Sequence, residues 1–155
     1  LDDIAIRMAN YCQSKGYRAL PIPASQVLDD DYSFGAISHK AIAVLAGLGW
    51  LGKGVIVVNK KLGPRIRLVT VLAALPLTAD KPIENSCGDC LECAKVCPVE
   101  AIKGISFKLK PHRREEALNV QACAHRLRKF GRDPRYGSSV CGLCVKVCPF
   151  GRKTL

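Results

Sequence analysis

The chain of 155 residues carries a formal net charge of +11, and 48% of its residues are hydrophobic. This length allows one domain or two small ones, and the hydrophobic fraction is enough for a real core, so a soluble globular protein is predicted rather than a disordered chain. The basic balance favours an acidic partner, a nucleic acid or an anionic cofactor.

No secretory signal sequence is visible at the N-terminus, so a cytoplasmic location is expected. The chain begins at Leu1 directly on a helix-like pattern, and we expect further residues upstream in the complete protein. Residues 41–58 are apolar, but Lys53 and several glycines within them argue against a membrane-spanning helix.

The first part of the chain predicts a helix, a strand and a loop. Residues 2–14 predict an amphipathic helix, since acidic residues open it and Gly16 follows it. Its apolar residues at helical spacing are Ile4, Met8, Tyr11 and Cys12. Residues 17–22 form an extended run whose prolines confine it to a strand end or a sheet edge. Residues 24–36 predict a loop, in which the aspartates at 29–31 indicate a solvated turn more than a metal site.

A second helix and two strands follow. Ser38 can cap a helix over residues 39–46, which ends at the glycines that come next. Residues 55–58 and 65–72 predict two strands, joined by a hairpin-like turn at 59–64.

The glycine loop at residues 47–53 matches G-x-G-x-x-G and nearly matches the phosphate-binding pattern G-x-x-x-x-G-K-[ST]. Both patterns bind phosphate at a helix N-terminus just after a strand. Here a helix precedes the glycines and a strand follows, so nucleotide binding is the less favoured interpretation. We favour a tight loop that carries Trp50 and Lys53 toward a ligand or the neighbouring domain. The predicted cofactor-binding residues are Gly47, Gly49, Trp50, Gly52 and Lys53.

The composition shifts to cysteine, proline and charge near residue 80. Residues 1–80 are expected to form a small α/β domain, and residues 81–155 a second domain of short helices and ligand loops. The predicted helices of the second domain cover residues 91–96, 115–130 and 143–147.

Two cysteine runs indicate iron–sulfur chemistry. Residues 87–98 read C-x2-C-x2-C-x3-C-P, in which three thiolates wrap one cubane and the fourth ligates another cluster. Residues 141–149 repeat C-x2-C-x3-C-P with one cysteine fewer, and Cys123 can supply it. Crossing over the Cys-Pro residues predicts a first cluster on Cys87, Cys90, Cys93 and Cys148. It predicts a second cluster on Cys97, Cys123, Cys141 and Cys144.

Zinc and disulfides are the competing interpretations of these cysteines. Zinc sites usually pair two C-x2-C knuckles around one ion, which four cysteines within residues 87–97 and a terminal Cys-Pro do not fit. Disulfides require an oxidising compartment, and no export signal is visible. The ninth cysteine, Cys12, is interpreted as a small buried hydrophobe.

With these motifs, the chain resembles the epoxyqueuosine reductase-like family, cobalamin-dependent proteins with two [4Fe–4S] clusters. Its cluster half is also similar to reductive dehalogenases. Apart from the cysteine runs and Cys123, the resemblance rests on Ala46-Gly-Leu-Gly-Trp50, on Gly52-Lys53 and on Leu75-Pro-Leu77. It extends from about residue 33 onward.

The resemblance implies that electrons pass from a donor through both clusters to a corrinoid, whose reduced cobalt drives a reductive step. In the epoxyqueuosine branch the substrate is a modified tRNA, and an aspartate before the A-G-L-G-W stretch is the proton donor. This chain departs there, with Ser33 at the aspartate position and His39 and Lys40 at the Glu-Arg positions. His39 or Asp31 could substitute as the acid, although a histidine near a helix start is more often a surface or capping residue.

Basic residues flank the predicted ligands of the second cluster. They fit phosphate backbones, an acidic electron donor such as a ferredoxin or flavodoxin, or simply a solvated surface that offsets anionic clusters. These residues are Lys108, Lys110, His112, Arg113, Arg114, His125, Arg126, Arg128, Lys129, Arg132, Arg135, Arg152 and Lys153.

The predicted fold class is α+β, a small α/β domain followed by a bacterial-ferredoxin-like domain with two [4Fe–4S] clusters. By resemblance, the first domain is the C-terminal part of a corrinoid-binding-like domain. Three functions are open: a corrinoid-dependent reductase of unknown substrate, a non-catalytic electron carrier or activator, and a tRNA-modifying epoxyqueuosine reductase. In the first, electrons leave the clusters toward a pocket lined by the loop from Trp50 to Lys53.

Overall fold

The computed structural model describes residues 1–24, 26, 28 and 35–152, which contain five helices and four short strands. Most of the predicted loop at 24–36, with its aspartates, lies outside the described residues. The helices are α1 (Asp2–Ser14), α2 (His39–Leu45), α3 (Glu92–Lys95), α4 (Val120–Arg132) and α5 (Leu143–Val147). The strands are β1 (Ala19–Ile22), β2 (Trp50–Leu51), β3 (Val57–Val58) and β4 (Thr70–Ala73). This mixture of helices and small sheets agrees with the predicted α+β class.

The strands form two separate antiparallel pairs among the described residues. Strand β1 pairs with β4, from Ala19 opposite Ala73 to Ile22 opposite Thr70, and β2 pairs with β3. The predicted hairpin of residues 55–58 with 65–72 is therefore wrong. The turn itself exists, because Asn59 and Gly63 form a bridge, but the strands on its two sides pair elsewhere.

Helix α1 packs against β1 and β4 through small side chains. Ala5 and Ala9 are buried, whereas Ile4, Met8 and Tyr11, which the periodicity placed on the packed face, are each at least half exposed. The helix is confirmed, but its packed face is wrong, since alanines allow the closer approach of helix and sheet. Cys12 is half-buried.

Helix α2 and the β2–β3 pair form the core of the first half. Ser38 caps α2 as predicted, because its Oγ accepts a hydrogen bond of 3.3 Å from the Ala41 N–H. The buried cluster consists of Ala43, Val44, Leu51 and Val57, with Ile66, Leu68 and Leu109 packed against it. No helix in the described part of the chain is long and apolar enough to cross a membrane.

Short helices and loops make up the rest of the chain. Helices α3 and α5 pack on each other and follow C-x-x-C runs as predicted. Helix α4 begins later than predicted, at Val120, and a separate 3-10 turn covers Arg114–Glu116. Asn119 explains this start, because its side chain accepts a hydrogen bond from the Ala122 N–H at 3.1 Å and its backbone is extended.

Candidate metal centre

The cysteines after residue 86 are all half-buried, and one group of them surrounds a cavity. The empty space of this cavity measures about 470 Å³, its opening to solvent included. Five cysteines line it: Cys87, Cys90, Cys93, Cys144 and Cys148. Four of these are the predicted ligands of the first cluster, and Cys144 lies where the two predicted sets adjoin.

Thiols of this same group of cysteines raise one another's pKa. Burial raises the pKa of the Cys93 thiol most, and neighbouring thiols raise it further: Cys87, Cys144 and Cys90. Burial likewise raises the pKa of the Cys148 thiol, with smaller contributions in the same direction from Cys87 and Cys90. Deprotonating this group would therefore gather several negative charges that repel one another unless a cationic core lies between them.

A second group of thiols is coupled in the same way. Burial raises the pKa of the Cys123 thiol, and Cys97 and Cys141 add to the rise. Burial also raises the pKa of Cys144, which is coupled to Cys141 and Cys123. Cys123, on α4, thus joins cysteines from both runs, although it is 18 or more positions from each in the printed sequence. The four-and-four assignment itself stays a prediction, since Cys144 also lines the cavity of the first group.

The donor sets fit iron–sulfur clusters by their chemistry. No three His, Cys, Asp or Glu side chains among residues 1–24, 26, 28 and 35–152 converge on a site for one metal ion. A [4Fe–4S] cubane takes a cysteine thiolate on each of its irons, so its ligands surround a cavity instead of meeting at a point. Its iron core also supplies the positive charge that crowded, half-buried thiolates need.

The predicted glycine loop lies against the first group of cysteines. The Trp50 Nε1–H donates to Cys87 Sγ at 3.3 Å, and Lys53 Nζ donates to the Gly88 carbonyl at 2.6 Å. A Cβ on Gly52 would lie 3.7 Å from Cys87 Sγ, and Gly52 and Lys53 both line the cavity. This loop therefore reaches the neighbouring half of the chain, one of the two destinations that the sequence predicted for it.

Gly47 and Gly49 contact protein backbone. A Cβ on Gly47 would lie 2.7 Å from the Lys81 carbonyl oxygen, and one on Gly49 would overlap the Val58 carbonyl. The small size of Gly49 therefore serves the pairing of β2 with β3, and that of Gly47 allows a close contact with the backbone at Lys81. Contact of any of the five predicted loop residues with a corrinoid stays a prediction.

A wide cleft lies between α2, the segment 109–115 and α4. Its empty space measures about 2970 Å³, its opening to solvent included, and Cys123, Ala124 and Leu127 of α4 form part of its wall. Cationic side chains also line it: Lys40, Arg67, Lys110, Arg113 and Arg114. Glu115 is on the same wall, but the charge of the lining is mainly positive. The cleft can therefore receive a large ligand that carries an anionic group.

His39 and Lys40 face this cleft at the start of α2. The His39 ring lies between the Thr70 hydroxyl, 2.8 Å from Nδ1, and the Pro23 carbonyl, 3.1 Å from Nε2. Because a carbonyl only accepts, Nε2 carries a proton, and in a neutral ring Nδ1 accepts from Thr70. Burial, then the positive charge of Arg114, lowers the pKa of Lys40, whose Nζ donates to the Val55 carbonyl at 3.0 Å. Asp31 and Ser33 lie outside the described residues.

Three residues of the site region were missed by the sequence reasoning or given another role. Asn85 bridges the halves, since its amide donates to the Leu51 carbonyl and accepts from the Cys87 N–H, both at 2.9 Å. Arg65 donates to the Phe150 carbonyl at 2.9 Å. Burial acts to raise the pKa of the Cys141 thiol, but the side chain of Arg126, which the sequence assigned to a surface patch, lowers that pKa. No local motif distinguishes these residues.

Comparison with known proteins identifies the type of domain that the second half of the chain forms. Residues 86–151 match the model of the 4Fe-4S double cluster binding domain. The chain is 36% identical over 126 residues to epoxyqueuosine reductase of Staphylococcus aureus, a match that covers 76% of this chain and 30% of that protein. The chain therefore spans about a third of the length of the curated relatives that it matches.

Two solved structures share the fold of nearly the whole chain. An epoxyqueuosine reductase with an epoxyqueuosine-modified tRNA stem loop superposes with a TM-score of 0.67 at 22% identity, covering 97% of this chain and 39% of that one. A reductive dehalogenase, described for B12-dependent dehalogenation, superposes with a TM-score of 0.66 at 25% identity, covering 94% and 20%. The resemblance stated from the sequence is confirmed: the chain is a relative of the epoxyqueuosine reductases and carries a double [4Fe–4S] cluster binding domain.

Proposed function

We propose that this chain is the electron-transferring part of a corrinoid-dependent reductase. In this proposal the first cluster is held by Cys87, Cys90, Cys93 and Cys148. The second cluster is held by Cys97, Cys123, Cys141 and Cys144. One observation carries the proposal: Cys123 is coupled to the second group of thiols and also lines the wide cationic cleft. A ligand of the second cluster thus borders the space in which a large cofactor would bind.

The cleft fits a corrinoid in size and charge. Its empty space of about 2970 Å³ suits a bulky ligand, and cationic residues such as Arg67 and Arg113 would face the phosphate of the corrinoid's nucleotide tail. A bound corrinoid would supply low-potential cobalt chemistry. The protein's part is to hold that cofactor beside Cys123 and to exclude water with the apolar wall of Leu51, Val57 and Leu127.

We do not propose His39 as the proton donor of this chain. Both ring nitrogens of His39 are engaged, with Thr70 and with Pro23, so donating the Nε2 proton to a substrate would break the bond to the Pro23 carbonyl. The arrangement supports a structural role for His39, which ties α2 to β4 through Thr70. Residues upstream of α2 remain the place where an acid could lie, as the family resemblance implies.

Replacing one proposed cluster ligand and, separately, the one cysteine assigned to no cluster tests the cluster assignment. In the anaerobically reconstituted chain, Cys123→Ser should remove or convert the second cluster and lower the iron content, since Ser is a poor substitute for a thiolate ligand. Cys12→Ser is the matched control, because Cys12 lies on α1, outside both cysteine runs. EPR of the reduced protein and iron analysis give the result. Two intact clusters in Cys123→Ser would contradict the assignment.

A tRNA substrate is the second candidate, and the relatives named above favour it over a substrate of another class. Many of the basic residues beside the second cluster are exposed, including Lys108, Lys110, Arg128, Lys129 and Arg132, which suits phosphate contacts. Lys153 lies outside the described residues. The same charges suit an acidic ferredoxin or flavodoxin as electron donor, so this partner stays part of the proposal.

Electrophoretic retardation of tRNA distinguishes these partners. If tRNA is bound through this surface, retardation should appear at low salt and decline steeply as salt rises, because counterions are released on binding. Substituting Lys129 and Arg132 together by glutamine should weaken it. The control is Arg135→Gln, since Arg135 is already paired with Asp133 at 2.7 Å. No retardation at low salt would exclude tRNA binding by this chain.

A further inference from the structure

The first group of cysteines receives a hydrogen bond from a side chain that belongs to neither cysteine run. For the first group the donor is Trp50, on β2 of the first half of the chain, 37 positions from Cys87. Its indole is only 2% exposed and is held edge-on against the Phe150 ring, with the ring centroids 4.9 Å apart. Packing therefore fixes the direction of the N–H toward Cys87 Sγ.

We propose that the Trp50 N–H on Cys87 raises the reduction potential of the first cluster. This inference rests on the cluster assignment proposed above. Hydrogen bonds to cluster sulfurs stabilise the more negative, reduced state, so the first cluster is easier to reduce with this donor than without it.

Trp50 lies on β2, which packs with α2 and β3, and its hydrogen bond goes to the first group of cysteines. Removing its N–H should therefore leave the surroundings of the second cluster intact, which makes the second cluster the internal control.

The first experiment removes the Trp50 N–H. Each cluster takes up one electron from dithionite in the presence of mediators, and EPR follows the reduced forms during a potentiometric titration of the reconstituted chain. In Trp50→Phe the ratio of reduced to oxidised first cluster at a fixed potential should fall about fivefold to tenfold, a shift of about 40–60 mV to more negative potential. The second cluster should titrate as in the wild type.

The Cys123→Ser chain assigns the signals, because its second cluster should be lost or converted while its first cluster stays intact.

A packing defect in Trp50→Phe is separated from loss of the donor by a closer analogue. Site-specific incorporation of benzothienylalanine at position 50 keeps both rings and replaces only the N–H by sulfur, and it should give the same shift. Two clusters with unshifted potentials, or with potentials that move together in either variant, would overturn this inference. Failure of the wild-type chain to bind two clusters would instead overturn the proposed function.

Discussion

Gly63 brings the backbone of the first half into contact with the end of the second cysteine run. It has φ +63°, and a Cβ there would overlap the Phe150 carbonyl. We expect Gly63→Ala to lower the free energy of unfolding by about 3–5 kcal/mol, since it combines left-handed strain with forced backbone displacement. Gly137→Ala is the matched control, with φ +59° and open space around its Cβ, and should cost about 1–2 kcal/mol.

Denaturant titration of the reconstituted chains, followed by the loss of cluster absorbance, measures this difference. Equal midpoints for the alanine variants at positions 63 and 137 would show that the contact with Phe150 carries no stability.

The sequence could predict the roles of some single residues and not those of others. Cysteine spacing is a local property, so the sequence could predict the two cysteine runs, whereas the role of Cys123 as a ligand of the second cluster stays a prediction. The donor to Cys87 could not be predicted, because Trp50 is 37 positions away and reaches it only through the packing of β2. Arg126 was predicted only as a surface charge, although it is half-buried, since no sequence pattern distinguishes a half-buried guanidinium from one that faces water.

Helix α4 depends on its N-terminal cap, and it carries both Cys123 and Arg126. Asn119→Ala removes the acceptor for the Ala122 N–H and should lower stability by about 1 kcal/mol. Because Cys123 lies in the first turns of the helix, fraying there should also speed the loss of the second cluster to chelators. Asn119→Asp keeps an acceptor and should behave as the wild type.

The measurement for the Asn119 variants is the rate at which EPR of the second cluster disappears in chelator, with the first cluster as reference. If Asn119→Ala and Asn119→Asp lose the EPR signal of the second cluster at the same rate, the cap does not control access of the chelator to that cluster.

Tertiary contacts decided the strand pairing that the sequence did not predict. Asn59 makes the predicted turn, since its Oδ1 accepts from the Lys61 and Leu62 N–H groups. After the turn the chain does not pair with β3, because the Arg65 side chain donates hydrogen bonds to the Phe150 and Lys146 carbonyls. Strand β4 begins only at Thr70, where β1 is the available partner. Alternation of side chains predicts that a strand exists, but not which strand it joins.

At the scale of the whole molecule, the halves are joined on one side and separated by the wide cleft on another. Trp50, Arg65 and Asn85 connect them around the first group of cysteines. The cleft lies between α2 of the first half and α4 of the second, with Cys123 on its wall. The proposed cofactor site therefore needs both halves, and the sequence could not predict it, because its lining residues are spread over most of the chain.

Titration of the reconstituted chain with cob(II)alamin tests this arrangement as a whole. The cobalt EPR spectrum should change and saturate at one corrinoid per chain. Ala124→Trp places a bulky side chain on the cleft wall beside Cys123 and should weaken binding about tenfold or more, which corresponds to about 1.4 kcal/mol or more. Ala122→Trp makes the same substitution on α4 at a position that does not line the cleft, and should bind as the wild type does. An unperturbed cobalt spectrum in the wild type would leave a two-cluster electron carrier as the function, and equal binding by both variants would move the corrinoid away from this cleft.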